Sequence, residues 1–248
     1  MTTVIKAVGS VFTNTGLGNI SPFIRGGLIG AYRFSDDDYL KDLSGSGNHL
    51  TAIGSPTVRD GYAVGDGANG FNTGIAETLN MTLLVVYRRK VGDTSGGFGA
   101  GNYLDNPPKG LSVFQHGAGA ELQSQVCSKA AGASSNAKTP LPNTPITEGN
   151  FALHAISLDA TGNQVISGTP STGLVTIQFT ADSLTNRILG DVTTNPFKII
   201  ATSDIRALWY AEMHVAEVLI YNRALSYAEI TEQYKKSKKH LSKAGINI

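Results

Sequence analysis

The sequence is poor in cysteine and in charge. Its 248 residues contain one cysteine, Cys127, and 16% charged residues, and the formal net charge is +1. A single cysteine excludes an intramolecular disulfide and a cysteine-based zinc cluster, so we interpret Cys127 as a small buried apolar side chain. A net charge this close to zero provides no long-range attraction toward nucleic acid or an anionic membrane surface.

The only concentrated basic stretch is residues 235–240, followed by Lys243. Such a stretch can contact phosphates or an acidic partner. Lysines near the C-terminal end of a helix also complement the helix dipole and stay solvated, and the sequence favours this interpretation. We therefore expect no nucleic-acid partner.

Long apolar runs are absent as well. No stretch approaches the ~20 apolar residues that a membrane-spanning helix needs. Residues 1–11 lack the apolar core of a secretory signal peptide. The sequence thus predicts a soluble polypeptide that is made in a cytoplasm and does not insert into a membrane.

Residue patterns typical of catalysis are also missing. A glycoside hydrolase needs two carboxyl groups on either side of the scissile bond. The nearest candidates, Glu212 and Glu217, are five residues apart, so on a regular strand they would point to opposite faces. We expect a structural role for Glu217. The five histidines lie in separate segments, and no Gly-x-Ser-x-Gly turn marks a nucleophilic serine. We therefore predict that the protein is not an enzyme.

Short strand-like segments separated by turns fill most of the chain, which contains 29 glycines. Segment 81–89 is apolar on both alternating faces, which predicts a central strand. Segment 174–180 alternates apolar with polar residues, which predicts a half-solvated outer strand. Residues 128–147 are predicted to form a long surface loop. Further strands are predicted at 27–34, 111–117, 121–127, 151–159, 165–168 and 215–221. This pattern predicts an all-β fold, a two-sheet antiparallel sandwich of the jelly-roll type.

One amphipathic helix is predicted over residues 226–242. Ser226 and Glu229 have the spacing of a capping box, in which each side chain bonds the backbone N–H of the other residue. Apolar residues then recur at helical spacing on one face. These residues are Tyr227, Ile230, Tyr234 and Leu241. The helix must lie against the body that contains the preceding strand.

Residues 216–230 read Ala-Glu-Val-Leu-Ile-Tyr-Asn-Arg-Ala-Leu-Ser-Tyr-Ala-Glu-Ile. This run resembles the closing motif of the laminin-G-like, concanavalin A-like jelly-roll domains, which end in a strand, Asn-Arg-Ala-Leu and a Ser-x-x-Glu-Ile helix start. An opening Asp-x-Ser-Gly-x-Gly-Asn turn and a Gly-x-Asn-Gly turn within 62–71 are also similar to this family. The opening turn is formed by Asp42, Ser44, Gly45, Gly47 and Asn48. The resemblance covers residues 27–240 and implies a concanavalin A-like jelly roll.

Two regions are predicted along the chain. Residues 26–248 form the jelly-roll domain with its C-terminal helix. Residues 1–25 form an N-terminal extension with isolated apolar residues and no sustained period. This extension is either a loosely attached terminus or an assembly arm that packs on a neighbouring subunit. In the second case we expect a homo-oligomer.

The resemblance implies candidate binding residues. Domains similar to this one bind glycans through loops at the sandwich rim or through the concave sheet. Trp209, Tyr210 and Tyr103 are the aromatic side chains predicted to stack on a sugar. Asp36, Asp37 and Asp38 supply oxygen ligands that suit calcium, so the two interpretations of these residues are a calcium site and a solvated acidic loop.

The resemblance also implies a function. Jelly rolls of this type without a signal peptide are similar to virion proteins of tailed bacteriophages, such as head decorations, fibres and tail components. This implies a non-enzymatic virion structural protein, made in the host cytoplasm, that contacts other virion proteins and binds a host cell-surface glycan. The alternatives are a carbohydrate-binding module or adhesin of a bacterium and, less favoured, a glycoside hydrolase.

Overall fold

The computed structural model describes residues 21–105, 108–115, 122–130, 133–140, 149–159, 163–169, 173–178, 188–202 and 210–248. The strands are β1 Leu28–Arg33, β2 Thr51–Ile53, β3 Thr57–Arg59, β4 Tyr62–Gly65, β5 Gly70–Asn72, β6 Met81–Arg89, β7 Gly97–Gly101, β8 Leu104–Asp105, β9 Pro108–Lys109, β10 Leu111–Gln115, β11 Leu122–Ala130, β12 Ala133–Pro140, β13 Ala152–Leu158, β14 Asn163–Thr169, β15 Gly173–Gln178, β16 Lys198–Ile199 and β17 Met213–Tyr221. Helix α1 spans Tyr227–Leu241, and a 3-10 turn spans Ser242–Ala244. None of the described helices has the length and apolar content needed to span a membrane.

The strands form two large antiparallel sheets. The first sheet has eight strands in the order β15-β14-β13-β6-β17-β4-β3, with β1 also paired to β17. The second sheet has seven strands in the order β12-β11-β10-β7-β16-β5-β2. Strands β8 and β9 form a separate two-stranded ribbon. This two-sheet sandwich with one C-terminal helix confirms the predicted all-β jelly-roll fold. Strand β15 lies at an edge of the first sheet, and the predicted half-solvation of 174–180 stays a prediction.

Strand β6 is a central strand buried on both faces. It pairs with β13 on one side and β17 on the other, and its bounds are those predicted. Leu83 and Val85 belong to the core between the sheets. Leu84 and Val86 belong to a second cluster on the outer face of the first sheet, below α1. Each fully buried side chain of this size contributes about 1.5–3 kcal/mol to folding, so both clusters stabilise the sandwich.

Helix α1 closes this outer cluster. The Ser226 hydroxyl accepts the N–H of Glu229, and the Glu229 carboxylate accepts the N–H of Ser226 at 2.9 Å, which confirms the predicted capping box. Ile230 and Leu241 are fully buried in the cluster. Tyr227 is 45% exposed, so its predicted place on the buried face is wrong. The polar residues Gln233 and Ser237 are buried on that face and bond to the body beneath.

Residues 21–25 pack on the helix of their own chain. Phe23 is 2% exposed and belongs to the cluster below α1. The Ile24 N–H donates to Gln233 Oε1 at 2.9 Å, and Lys236 Nζ donates to the carbonyl of Ser21 at 3.1 Å. Residues 21–25, the last part of the predicted extension over 1–25, therefore contact the jelly-roll body, and the division of the chain at residue 25 stays a prediction. The remainder of that extension, residues 1–20, lies outside the described residues.

The predicted surface loop over 128–147 is wrong over much of its length. Strand β11 continues to Ala130, and β12 pairs with it along Ala133–Pro140. Strand β12 lies at one edge of the second sheet. An edge strand obtains its hydrogen bonds from one neighbour and is often polar, so the low apolar content of this segment concealed it.

Candidate functional site

An open cleft of about 500 Å³ lies at one end of the first sheet. It has three walls: the end of β4 and the turn after it with the adjoining residues Ser55 and Thr57, the segment after β6, and the residues before β17. These segments meet because Met213, the first residue of β17, pairs with Gly65 of β4 and with Arg89 of β6. The cleft is lined by Ser55, Thr57, Val64, Gly65, Asp66, Asn69, Lys90, Asp93, Tyr210 and Glu212.

The first wall is a turn stabilised by its own side chains. Asp66 Oδ1 accepts the backbone N–H groups of Ala68 and Asn69 and the side-chain amide of Asn69, at 2.8–3.0 Å. Asn69 Oδ1 in turn accepts the N–H of Ser55 at 2.8 Å. Aspartate and asparagine commonly bond nearby backbone groups in this way. The second oxygen of Asp66 makes no hydrogen bond with a described residue and remains available to a ligand.

The second wall is joined to the third through Asp93. One Asp93 oxygen accepts the N–H of Ser95 at 2.9 Å and the other accepts the N–H of Glu212 at 3.0 Å. The Lys90 N–H donates to the carbonyl of Glu212 at 2.9 Å. Partial burial opposes ionisation of Asp93, but the donated N–H groups outweigh it and lower its pKa. Asp93 is therefore an ionised carboxylate that connects two walls of the cleft.

Glu212 lies in the third wall among three potential cations. Lys90 Nζ is 3.1 Å from Glu212 Oε2, whereas His214 Nε2 and Arg59 lie 3.0 Å and 3.7 Å from Oε1. The hydrogen bond from His214 has the largest effect and lowers the pKa of Glu212; burial opposes it, and Lys90 lowers the pKa further. Glu212 is thus ionised and already paired.

His214 is held in one tautomer. Its Nδ1 lies 3.0 Å from Nε of Arg88, which can only donate, so Nδ1 must accept. Nε2 therefore carries the proton and donates it to Glu212. The imidazole also stacks on Tyr62, with ring centres 4.8 Å apart. Burial lowers the pKa of His214, and the Arg88 charge adds to this, while Glu212 opposes it. His214 is therefore neutral, and its hydrogen bond positions the Glu212 carboxylate in the wall of the cleft.

Tyr210 is the exposed aromatic side chain of this cleft. It is 55% exposed, the greatest exposure of any described tyrosine, phenylalanine or tryptophan. The residue lies just before β17, at the end of the first sheet. Its ring presents apolar surface to solvent beside hydroxyl, amide and carboxylate groups.

The other predicted stacking residues do not join Tyr210 in the described structure. Tyr103 is 1% exposed and packs inside the protein. Trp209 lies outside the described residues. Asp37 and Asp38 are exposed, and Asp36 lies 3.6 Å from His240 Nε2. In the described part of the chain, no three His, Cys, Asp or Glu side chains are close enough to share a metal ion.

Glu212 and Glu217 lie on the same side of the first sheet, so the expectation that they face opposite ways is wrong. A bulge between Val215 and Glu217 inserts Ala216 into β17 and reverses the alternation. A bulge adds one residue to a strand and so changes which face the following side chains occupy. Glu217 is 1% exposed and paired with Arg33, which is consistent with the structural role expected for it.

Sequence reasoning did not identify most of the cleft wall. Asp66 and Asn69 fall in the turn that resembles the family, but that turn gave no sign of lining a site. Asp93 and Lys90 follow β6 in a segment without any motif. What these residues share is their position. Each follows β4 or β6, and both of these strands pair with the start of β17.

A second groove, of about 560 Å³, runs between helix α1 and the residues before β1. It contains much of the basic run that the sequence singled out. Lys236 is bonded to Ser21 and paired with Glu232, and His240 lies near Ser35 and Asp36. The groove is lined by Ser21, Pro22, Glu232, Lys235, Lys236, Lys239, His240 and Lys243.

No protein-family model matches this sequence, and no curated protein is significantly similar to it. Solved structures with a similar fold do exist. Domain 4 of AbnA, a GH43 extracellular arabinanase from Geobacillus stearothermophilus solved in complex with arabinotriose, has a TM-score of 0.54 and 14% identity over 83% of this chain and 97% of that domain.

Two neurotoxin domains are similar as well. The receptor-binding domain of botulinum neurotoxin type G has a TM-score of 0.59 and 12% identity over 86% of this chain and 52% of that domain. The binding domain of botulinum neurotoxin DC in complex with SialylT has a TM-score of 0.56 and 11% identity over 86% of this chain and 51% of that domain. The chain thus spans about half the length of these neurotoxin domains. At such identities the likeness shows a shared β-sandwich fold and nothing more.

Proposed function

We propose that this chain is a non-catalytic carbohydrate-binding domain whose sugar site is the cleft beside Tyr210. The observation that carries the proposal is an aromatic ring, 55% exposed, at the rim of a polar cleft. A pyranose or furanose ring has an apolar C–H face and a polar edge of hydroxyl groups. The C–H face would pack on the Tyr210 ring, which removes apolar surface from water.

The sugar hydroxyls have partners in the same cleft. The second oxygen of Asp66 and the hydroxyl groups of Ser55, Thr57 and Tyr210 make no hydrogen bond with a described residue. A carboxylate oxygen accepts strongly from hydroxyl groups, and side-chain hydroxyls both donate and accept. This set of an aromatic ring and several polar groups is what orients a small polar ligand in a cleft.

The cleft is largely preformed. Asp66 and Asn69 fix the first wall, and the N–H of Glu212 bonds to Asp93 across the other two. Fewer groups must then become ordered when a ligand binds, which reduces the entropy cost of association. The same weak contacts with a sugar therefore give a higher affinity than they would on a surface that must first become ordered.

The same cleft is poorly suited to hydrolysis. A glycosidase needs a carboxyl group that stays protonated long enough to act as a general acid, which requires a raised pKa. Asp93 and Glu212 instead have lowered pKa values, and their oxygens are occupied by backbone and side-chain donors. Glu217 is buried and cannot reach a substrate. These features favour binding without turnover.

The fold neighbours agree with a binding role. One was solved with arabinotriose and another is a receptor-binding domain, and neither is described as a catalytic domain.

The proposal is tested by measuring affinity for an immobilised panel of oligosaccharides and polysaccharides, followed by calorimetry with the best ligand. Tyr210→Ala should weaken binding at least tenfold, because loss of one aromatic anchor typically costs more than about 1.4 kcal/mol. The matched control is Tyr227→Ala, since Tyr227 is 45% exposed on the helix and does not line the cleft. Equal loss in both variants, or no binding by the intact protein, would contradict the proposal.

A finer assignment extends the same function to a particle. We propose that the domain serves as a virion component of a tailed bacteriophage and binds a host surface glycan, with other virion proteins and further copies of itself as partners. The support for this assignment is the resemblance of residues 27–240, given above. Mass spectrometry of purified particles tests it directly. A protein absent from particles but secreted by a bacterium would instead support the alternative of a bacterial carbohydrate-binding module or adhesin.

A further inference from the structure

The charge of the cleft beside Tyr210 points to a particular class of sugar. Asp66, Asp93 and Glu212 contribute three carboxylates to its lining, whereas Lys90 is the only lining cation among the described residues. Asp93 and Glu212 are held ionised by the groups that bond to them. The side chains that line the cleft are therefore three carboxylates against one ammonium, although the chain as a whole carries +1. Three arginines, Arg59, Arg88 and Arg89, lie beside or behind this lining.

The cations near the cleft already have partners. Arg89 donates to the carbonyl of Ser95, and Arg88 donates to His214 and to the carbonyl of Gly149. Lys90 Nζ lies 3.1 Å from Glu212, and the Arg59 guanidinium lies 3.7 Å from the same carboxylate on its other oxygen. His214 is fixed as a neutral imidazole by Arg88. Lys90 has further N–H donors, but a ligand carboxylate or sulfate that contacted it would lie close to the Glu212 carboxylate, and the two anions would repel each other.

The free hydrogen-bonding groups point the same way. The unbonded oxygen of Asp66 accepts hydrogen bonds and cannot donate one. It can accept a sugar hydroxyl, but an acidic sugar would place a like charge against it. Like charges a few ångströms apart repel strongly near a protein surface, and added salt screens that repulsion.

We propose that this cleft selects neutral sugars and excludes glycans whose recognised unit carries a carboxylate or sulfate. The inference rests on the proposed function, since it concerns the ligand class of the same site. It assigns Asp66 as the hydroxyl acceptor and Glu212 as the group that keeps Lys90 from capturing an acidic ligand.

The test uses matched pairs, in which neutral oligosaccharides such as lactose are compared with their sialylated or sulfated derivatives on one array. Neutral members should bind about tenfold or more tightly than their acidic partners in low salt, a ratio that corresponds to one unscreened unit charge in the cleft. The ratio should fall when the salt concentration is raised. Glu212→Gln, which keeps an acceptor for His214 but releases Lys90, should reduce the ratio by about three- to fivefold.

The control variant is Glu232→Gln, which removes one negative charge from the surface of α1, where the Glu232 side chain is 52% exposed. It should leave the ratio unchanged. Acidic glycans that bind as well as their neutral partners, or better, would overturn the inference while leaving a carbohydrate-binding domain in place. Binding to no member of the array would instead defeat the proposed function, and the inference with it.

Discussion

Arg33 Nε lies 2.5 Å from Glu217 Oε2, and the two side chains are each 2% exposed. The residues are register partners on β1 and β17, the first and last strands of the sandwich. The other oxygen of Glu217 accepts the hydroxyl of Ser237 on α1. Gln233 donates to that hydroxyl and accepts the N–H of Ile24. The buried carboxylate of Glu217 thus connects β1 and β17 to helix α1.

Removing one partner of this pair should destabilise the protein strongly. Glu217→Ala leaves the Arg33 guanidinium buried without its counter-ion, and such a change typically costs about 3–5 kcal/mol. The free energy of unfolding, measured by urea denaturation, should fall by this amount. The double variant Arg33→Met with Glu217→Leu should lose much less, because it leaves no unpaired charge.

A surface pair provides the matched comparison. Glu232 and Lys236 form an i,i+4 pair on α1, with the Glu232 side chain 52% exposed. Exposed pairs of this kind contribute about 0.3–0.5 kcal/mol. If Glu217→Ala and Glu232→Ala were equally mild, the buried network would not hold the helix to the sandwich.

The helix itself provides the second prediction. Ser226→Ala removes the cap and should cost about 1 kcal/mol. Ile230 is fully buried under the helix, so Ile230→Ala should cost about 2–5 kcal/mol through lost contacts and a cavity. The two unfolding free energies are measured by the same denaturation assay. An Ile230 variant milder than the cap variant would show that the helix is not docked in solution.

The sequence predicted the elements whose signals are local. The capping box at Ser226 and the two-faced apolar strand at 81–89 each depend on neighbouring residues, so their patterns are readable without the fold. The inserted Ala216 in β17 is invisible to alternation, and it reversed the expected facing of Glu217. Tyr210 was predicted as a binding residue, yet the walls around it come from turns that only the pairing of β17 with β4 and β6 brings together.

Phe23 provides the third prediction, and it concerns the start of the described chain. Its ring is 2% exposed in the cluster below α1, with the Arg33 guanidinium 4.2 Å from the ring centre. Phe23→Ala should therefore lower the unfolding free energy by about 3–5 kcal/mol. Val91→Ala is the control, since Val91 is 62% exposed and should change it by less than about 0.5 kcal/mol. An unchanged stability in the Phe23 variant would mean that residues 21–25 are not part of the body.

The last prediction concerns acid. His154 is fully buried on β13, 3.4 Å from the Tyr87 hydroxyl, and its ring stacks on the Tyr87 ring. Burial lowers the pKa of His154 from 6.5 to about 3. The unfolded chain therefore binds a proton more readily than the folded protein does. The stability that neutral His154 provides is complete above pH 6.5 and is lost progressively as the pH falls toward 3.

The measurement is the free energy of unfolding at pH 7 and pH 5 for the native protein and for His154→Asn, which cannot take up a proton. Between these pH values His154 should account for about 2 kcal/mol of lost stability, since each pH unit below 6.5 costs about 1.4 kcal/mol. Carboxyl groups with lowered pKa values, such as Glu229 at about 2, change the stability mainly below pH 4.5. They therefore contribute little to the difference between pH 7 and pH 5. His214 and His240 also have lowered pKa values and contribute equally to both proteins. An identical acid sensitivity in native protein and variant would show that His154 is not buried as the structure places it.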